Sequence, residues 1–448
     1  MLVRTMRKDL EKWLENGREA LLITGARQIG KTFLIREVLK SAKTPYVELN
    51  LIEHPEYVGV LEKSSDSEEL YMRLSVLSGE SLIKHRTIIF FDEVQEYKEI
   101  VTRIKFLVDE GSYRYIMSGS LLGVELRDLR SAPVGYLRIE DMYPMSQEEF
   151  LRAVGVSDQT IEMVRESFHR RKPIDGFVHK KLLEVFYLYL IVGGMPEAVQ
   201  TYVDTHDMNR VASIHEKIIR LYKQDFTKYE TRYKLKLMEI YDAIPGELNE
   251  KNKRFFINHL GKGRSYERLQ DDFLWLKYAG VALPVYNVTE LKAPLRINEK
   301  RNLFKLFLSD VGLLTSLYPV QVKIDILRQA TGVNNGALFE NAAAQELKAK
   351  GFSLYYYNSK KYGELDFVLE VDGKVLPLEI KSGKDYARHK AMDNVLANEA
   401  TEIEAGYVFS RENVSVKGRC CYLPIYMLFC IENTRIDDFT YTLDLSGI

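Results

Sequence analysis

Apolar residues in the first third of the chain follow two rhythms. Leu21-Leu22-Ile23, Thr87 to Phe91 and Tyr113 to Met117 are compact apolar runs of the length of buried strands. Tyr46-Val47-Glu48-Leu49-Asn50 alternates and reads as another strand. Between them the spacing widens to three and four. Phe33, Leu34, Ile35, Val38 and Leu39 mark a helix over 33–40, and Val101, Ile104, Phe106, Leu107 and Val108 mark one over 101–108. Residues 66–84 are helical by pattern. A leading helix in 1–20 puts Met6, Leu10, Trp13 and Leu14 on one face. Strand and helix in alternation predict βαβ units and a mostly parallel, doubly wound sheet.

The rhythm then changes. Residues 147–230 are helical, punctuated by Val192-Gly193-Gly194-Met195-Pro196. Helical stretches follow 236, then extended runs at 281–288 and near 296, the order of a winged helix. After 335 the α/β rhythm returns. Ala337–Lys350 reads as a helix, Leu354–Tyr357 as a strand, and 364–370 and 375–381 as a hairpin turned at Asp372-Gly373. Four units are expected: a core over 1–150, a helical lid over 151–235, a winged-helix-like part over 236–300, and a C-terminal α/β domain over 301–448.

Composition narrows the class. The 448 residues exceed one hydrophobic core. With 63 basic and 64 acidic residues the chain is near neutral, so any nucleic-acid face must be local. Three cysteines crowd near one end without metal spacing, which fits a reducing cytoplasm. The charged start lacks an apolar leader, and no apolar run approaches about 18 residues, so no membrane partner is expected.

The chemistry begins at Gly25-Ala26-Arg27-Gln28-Ile29-Gly30-Lys31-Thr32, followed by Phe33. This G-x-x-x-x-G-K-T pattern lies between the first strand and the helix after it. A phosphate loop needs that setting, because backbone N–H groups and the helix dipole together favour an anion. Lys31 is expected on the β- and γ-phosphates of ATP and the Thr32 hydroxyl on Mg²⁺. About sixty residues on, the apolar run ends in Asp92-Glu93, a Walker B arrangement. Asp92 would hold the metal and Glu93 would activate water. Ser118, after the next strand, is the expected γ-phosphate sensor, with Ser120 in reserve. Arg127, Arg130 and Arg138 are candidates for a phosphate contact in cis or in a neighbouring subunit of a homo-oligomer.

A second constellation lies near the C-terminus. Glu379 and Lys381 are two apart on one strand and share a face, and Asp366 can meet them from the neighbouring strand. Glu340 can join from the preceding helix. Two carboxylates and a lysine suit Mg²⁺- or Mn²⁺-assisted phosphodiester hydrolysis. A cross-strand salt bridge is the plainer alternative. Residues 251–270 carry Lys251, Lys253, Arg254, Lys262, Arg264 and Arg268 against the single acid Glu267, with Phe255, Phe256 and Tyr266 interleaved. They are either a nucleic-acid-facing patch or a solvated loop over core aromatics.

The loop Gly25–Thr32, Phe91-Asp92-Glu93 and Ser118-Gly119-Ser120 resemble a prokaryotic AAA-type ATPase. So do Met142–Met145, Val192–Pro196, Phe304–Leu314 and Phe339-Glu340-Asn341. Asp366, Glu379 and Lys381 match the PD-(D/E)xK nuclease fold. The resemblance implies an α/β multidomain chain with a P-loop NTPase parallel-sheet core and a restriction-endonuclease-like C-terminal domain. It implies an Mg²⁺-dependent ATPase working as a switch. The C-terminal domain is then an ATP-gated nuclease or a docking module that kept the fold, and a signalling ATPase with little turnover is a further alternative. Tyr136 stands where relatives often carry a basic residue, and Arg138 follows two residues later.

Overall fold

The computed structural model describes residues 2–64, 66–120, 135–228, 234–261, 264–330, 332–398 and 402–433. Arg127, Arg130 and Lys262, singled out above, lie outside the described residues.

The first unit is a five-stranded parallel sheet of β1 (Ala20–Thr24), β2 (Tyr46–Asn50), β3 (Ile88–Asp92), β4 (Arg114–Gly119) and β5 (Leu137–Asp141), in the order β2-β3-β4-β1-β5. Alternation along each strand explains its two cores. Leu21, Ile23, Ile88, Phe90 and Ile116 face the helix Lys31–Ser41 and the rest of the molecule. Leu22, Ile89, Phe91, Tyr115 and Met117 face the opposite core, which the helices Ser67–Ser78 and Glu99–Glu110 cover. Each buried Phe contributes about 2–3 kcal/mol. Two aromatics of the helical pattern stay outside: Phe33 and Phe106 are exposed.

Five helices follow: Gln147–Ala153, Asp158–Arg170, Gly176–Val192, Pro196–Thr205 and Met208–Lys228. Helices Lys234–Asn249 and Tyr266–Tyr278 lead into β6 (Ala282–Val288) and β7 (Glu299–Leu308), an antiparallel pair. The run near 296 is a 3-10 turn, Leu295–Asn298, that precedes β7.

This hairpin corrects the predicted winged helix. Besides β7, β6 pairs in parallel with β8 (Tyr355–Ser359), so it belongs to a larger sheet rather than a free wing. That sheet adds β9 (Gly363–Val371), β10 (Lys374–Ile380), β11 (Gly406–Ser410), β12 (Ser415–Lys417) and β13 (Cys420–Pro424). Its order is β12-β13-β11-β10-β9-β8-β6-β7. The boundary expected at 300/301 falls inside β7. Asp372 and Gly373 both take positive φ, 51° and 74°, as a tight right-twisting hairpin requires.

The motifs at 142–145, 192–196 and 304–314 meet at one joint. A Cβ on Gly193 would lie 2.8 Å from the Gly312 backbone, so neither position has room for a side chain. Asp310 accepts from Gly194 N at 2.6 Å and Leu313 N at 3.0 Å. Met145 N donates to Gly194 O at 2.7 Å. Burial lifts the Asp310 carboxyl to about 6 despite these donors. No described helix is long and apolar enough to cross a membrane.

Candidate functional site

The loop between β1 and its helix has the shape an anion needs. Gly30, at φ 88°, caps the helix Lys31–Ser41 in the left-handed region, where a side chain is strained. Gln28 shares that region at φ 66°. Ala26 and Ile29 are buried and anchor the loop in the core. Lys31 turns back on its own loop, donating to Gly25 O at 3.0 Å and Ala26 O at 2.8 Å. Burial lowers its pKa to about 8, although Glu93 and Asp92 pull the other way. The ammonium thus rests on neutral carbonyls, a poor exchange for the phosphate such a loop is built to receive.

Asp92 ends β3 beside Thr32. The Thr32 hydroxyl donates to its two oxygens at 2.9 and 3.0 Å, and Asn50 Nδ2 donates at 3.3 Å. The Ser118 hydroxyl also donates to Asp92. Burial raises the Asp92 pKa, and neighbouring Glu93 adds to the rise. Thr32 and Asp92 form a hard oxygen pair, a donor set that fits Mg²⁺. Glu93 takes a left-handed φ of 57° and accepts from Gln95 Nε2 at 2.6 Å and Ser120 Oγ at 3.4 Å. Of the two serines, Ser118 therefore serves Asp92 and Ser120 faces Glu93.

A cleft of about 670 Å³ opens over these groups. Arg27, Gln28, Gly30, Lys31, Thr32, Phe33 and Glu93 form its floor, and Pro196, Glu197, Gln200 and Leu221 of the helical segment form its roof. Arg27 ties the two sides together, pairing with Asp225 at 2.7 Å while Tyr222 OH donates to Arg27 O at 3.2 Å. Arg138 pairs with Glu140 at 2.7 Å and does not line the cleft. Sequence reasoning missed Arg4, which lines the cleft, donates to Ile29 O at 2.8 Å and pairs with Glu149 at 3.2 Å. Nothing in the local pattern marks it.

The second constellation assembles as the strand register dictates. Leu378 pairs with Phe367, so Glu379 comes beside Asp366. Ile380 N donates to Asp366 at 2.8 Å and Lys381 Nζ donates to Glu379 at 3.2 Å. Two further lysines occupy the middle. Lys305 Nζ lies 2.9 Å from Glu364, 3.6 Å from Glu340 and 3.7 Å from Asp366, and Lys253 bonds Glu340. Burial opposes charge on Lys305, yet the three carboxylates raise its pKa. Burial likewise opposes charge on Asp366, yet Lys305 and Lys253 hold it at about 2. Burial and Asp366 raise the Glu379 pKa, against the pull of Lys381. As arranged, these carboxylates do not fit a divalent metal, because ammonium groups already fill the space between them. Among the described residues no group of three or more acidic, His or Cys side chains is disposed to hold one.

The basic segment changes meaning accordingly. Lys253 and Arg254 point inward to Glu340 and towards Glu364, and Arg264 pairs with Glu239 at 2.6 Å. Phe255 and Tyr266 pack on Phe273 and Phe304. Of its basic residues Lys253, Arg254 and Arg264 are half-buried and face carboxylates, while Lys251 and Arg268 are exposed.

Comparison with known proteins agrees with the first unit. Residues 17–151 match a family described as an AAA domain. With the parallel sheet and the phosphate loop, this defines a P-loop NTPase domain of the AAA type. Residues 183–324 and 335–428 match two domains of unknown function, DUF8612 and DUF4143. No curated protein matches. Among solved structures, a Walker-type ATPase of Pyrococcus abyssi is similar at 16% identity and TM-score 0.42, covering 71% of this chain and 96% of its own. A helicase of Candida albicans is similar at 12% and 0.25, covering 41% and 47%. Both are loose likenesses.

Proposed function

We propose that the protein binds ATP in the cleft between the phosphate loop and the helical roof, hydrolyses it with Mg²⁺, and acts as a nucleotide-driven switch. The observation that carries this reading is the convergence of Lys31, Thr32 and Glu93 on one cleft, with Asp92 behind Thr32. Lys31 leaves the Gly25 and Ala26 carbonyls for the β- and γ-phosphates. Thr32 and Asp92 would hold Mg²⁺, which supplies positive charge to the phosphates. Glu93, braced by Gln95, takes a proton from water as its oxygen bonds to the γ-phosphorus. The bond to the bridging oxygen breaks, and ADP and phosphate leave. Ser118 positions Asp92 and Ser120 reads the state of Glu93. Arg27, bonded to Asp225, passes a change in the loop to the helical segment.

For the second sheet we favour a docking module over a nuclease, because Lys305 and Lys253 neutralise the carboxylates a metal would need. Phosphate release with and without DNA tests the whole reading. Glu93→Gln should retain ATP binding and lose about 100-fold or more in turnover. Unchanged turnover would move the base elsewhere. A wild-type protein that binds ATP and releases no phosphate would favour the signalling switch. DNA or RNA cleavage that Lys381→Ala abolishes would restore the nuclease.

A further inference from the structure

A second pocket, of about 400 Å³, shares no lining residue with the nucleotide cleft. It touches the phosphate loop only at Gly25, beside Thr24 at the end of β1, whereas the loop residues of the cleft run from Arg27 onward. Its other walls come from the end of β5, the helix Tyr266–Tyr278, β6, β7 and β8. The C-terminal ends of parallel strands are where ligands of such sheets collect.

Its chemistry is specific. Lys277 and Lys348 enter from two different helices, and Arg296 from the turn before β7. Among the described residues none of the three has a carboxylate within 4.0 Å. Burial lowers the Lys348 pKa; Asp141 partly offsets this, and Lys277 lowers it again, so the two ammonium groups repel each other across the space. Of the acids of the pocket, Glu299 pairs with Arg301 at 2.8 Å, and Asp141 accepts from Thr24 Oγ1 at 2.6 Å while attracting Lys348 from beyond ion-pair distance. Aromatic faces accompany the cations. Lys277 Nζ lies 5.4 Å from the Tyr286 ring centre and 5.8 Å from that of Tyr278, which is partly open to solvent.

We propose that this pocket binds a phosphate-bearing nucleoside, its phosphate between Lys277, Lys348 and Arg296 and its base against Tyr278. Cations beside an exposed ring suit both halves of such a ligand, and the volume suits one nucleotide. The source is a free mononucleotide or the phosphorylated end of a single strand. The site adjoins the loop directly: a Cβ on Gly25 would collide with Met142 O, and Met142 lines the pocket. Occupancy therefore bears on the loop from its first residue.

Calorimetric titration of the full-length Lys31→Ala protein with AMP, and separately with 5′-phosphorylated tetrathymidylate, tests this with the phosphate loop silenced. One equivalent per chain of either probe should bind saturably. Lys277→Glu with Lys348→Glu should weaken binding at least about tenfold, and Lys277→Arg with Lys348→Arg should restore it in a protein of unchanged near-UV dichroism. Tighter AMP identifies a free nucleotide as the ligand, and a tighter oligonucleotide identifies a strand end. No saturation of either probe by about 5 mM, or binding that survives charge reversal, would overturn the proposal and leave the lysines as helix-end charges.

Discussion

Lys31 and Lys305 are both buried, at 6% and 1% exposure, and their surroundings push them in opposite directions. Lys31 rests on two peptide carbonyls and its pKa falls to about 8. Lys305 sits among three carboxylates and its pKa rises. The first is a charge left short of a partner, as a site awaiting an anion should be. The second has more partners than it needs, as a finished structural joint should. Degree of burial does not separate a binding lysine from a structural one, but the charge of its neighbours does.

The largest expected effect comes from Lys31→Ala. ATP affinity, read by calorimetry, should fall by about 100-fold or more, since the only ammonium facing the phosphates in the proposed pose is gone. Retained tight binding would break the comparison at its first member. Lys305→Met should leave Glu340, Glu364 and Asp366 undercompensated and cost about 3–5 kcal/mol in chemical denaturation. Mn²⁺ should then stabilise this variant more than the wild type. Equal stabilisation of the two would mean that Lys305 does not keep metal out.

The pH response sharpens the contrast. Lys31 is depressed, so between pH 8 and 10.5 the unfolded chain holds a proton that the nucleotide-free fold has released. In that window stability rises with pH as the cost of the buried charge disappears. ATP phosphates reverse the depression, so binding near pH 8 to 9 should take up part of a proton, and affinity should fall above pH 8. Titration in buffers of different ionisation heat measures this. Asp366, at about 2 against 3.8, contributes stability that is present above pH 3.8 and lost as pH falls towards 2. Lys305 keeps its charge to higher pH than usual, so its own contribution should hold steady over pH 8–10.5. The smallest change is Asp225→Asn. It unpairs Arg27 from the helical roof and should alter nucleotide affinity by only about 1 kcal/mol or less.

The core was legible because its signals are local. Apolar runs, the loop spacing and the Asp-Glu strand end each lie within a few residues, and β2 occupies the predicted Tyr46–Asn50. The Asp372-Gly373 turn fixes the register that brings Asp366 to Glu379. What escaped depends on distant partners. Leu137–Asp141 lies at the sheet edge with little burial, so it carries no apolar run. Lys253 read as surface charge because its carboxylate, Glu340, comes from a helix far along the chain. Lys305, alone within Phe304-Lys305-Leu306-Phe307, offered the one usable clue. A lysine inside an apolar strand needs a hidden acid.

The contact of Gly193 with Gly312 bears on how the protein should be cut for expression. A fragment started at residue 301 would split a strand and strip Gly312 of its seat. One spanning 142–433 keeps Met145, Gly194, Asp310 and Gln345 in each other's reach. Scissors placed after the fifth strand spare that joint, at the cost of the Arg4–Glu149 and Arg27–Asp225 pairs that cross to the first unit.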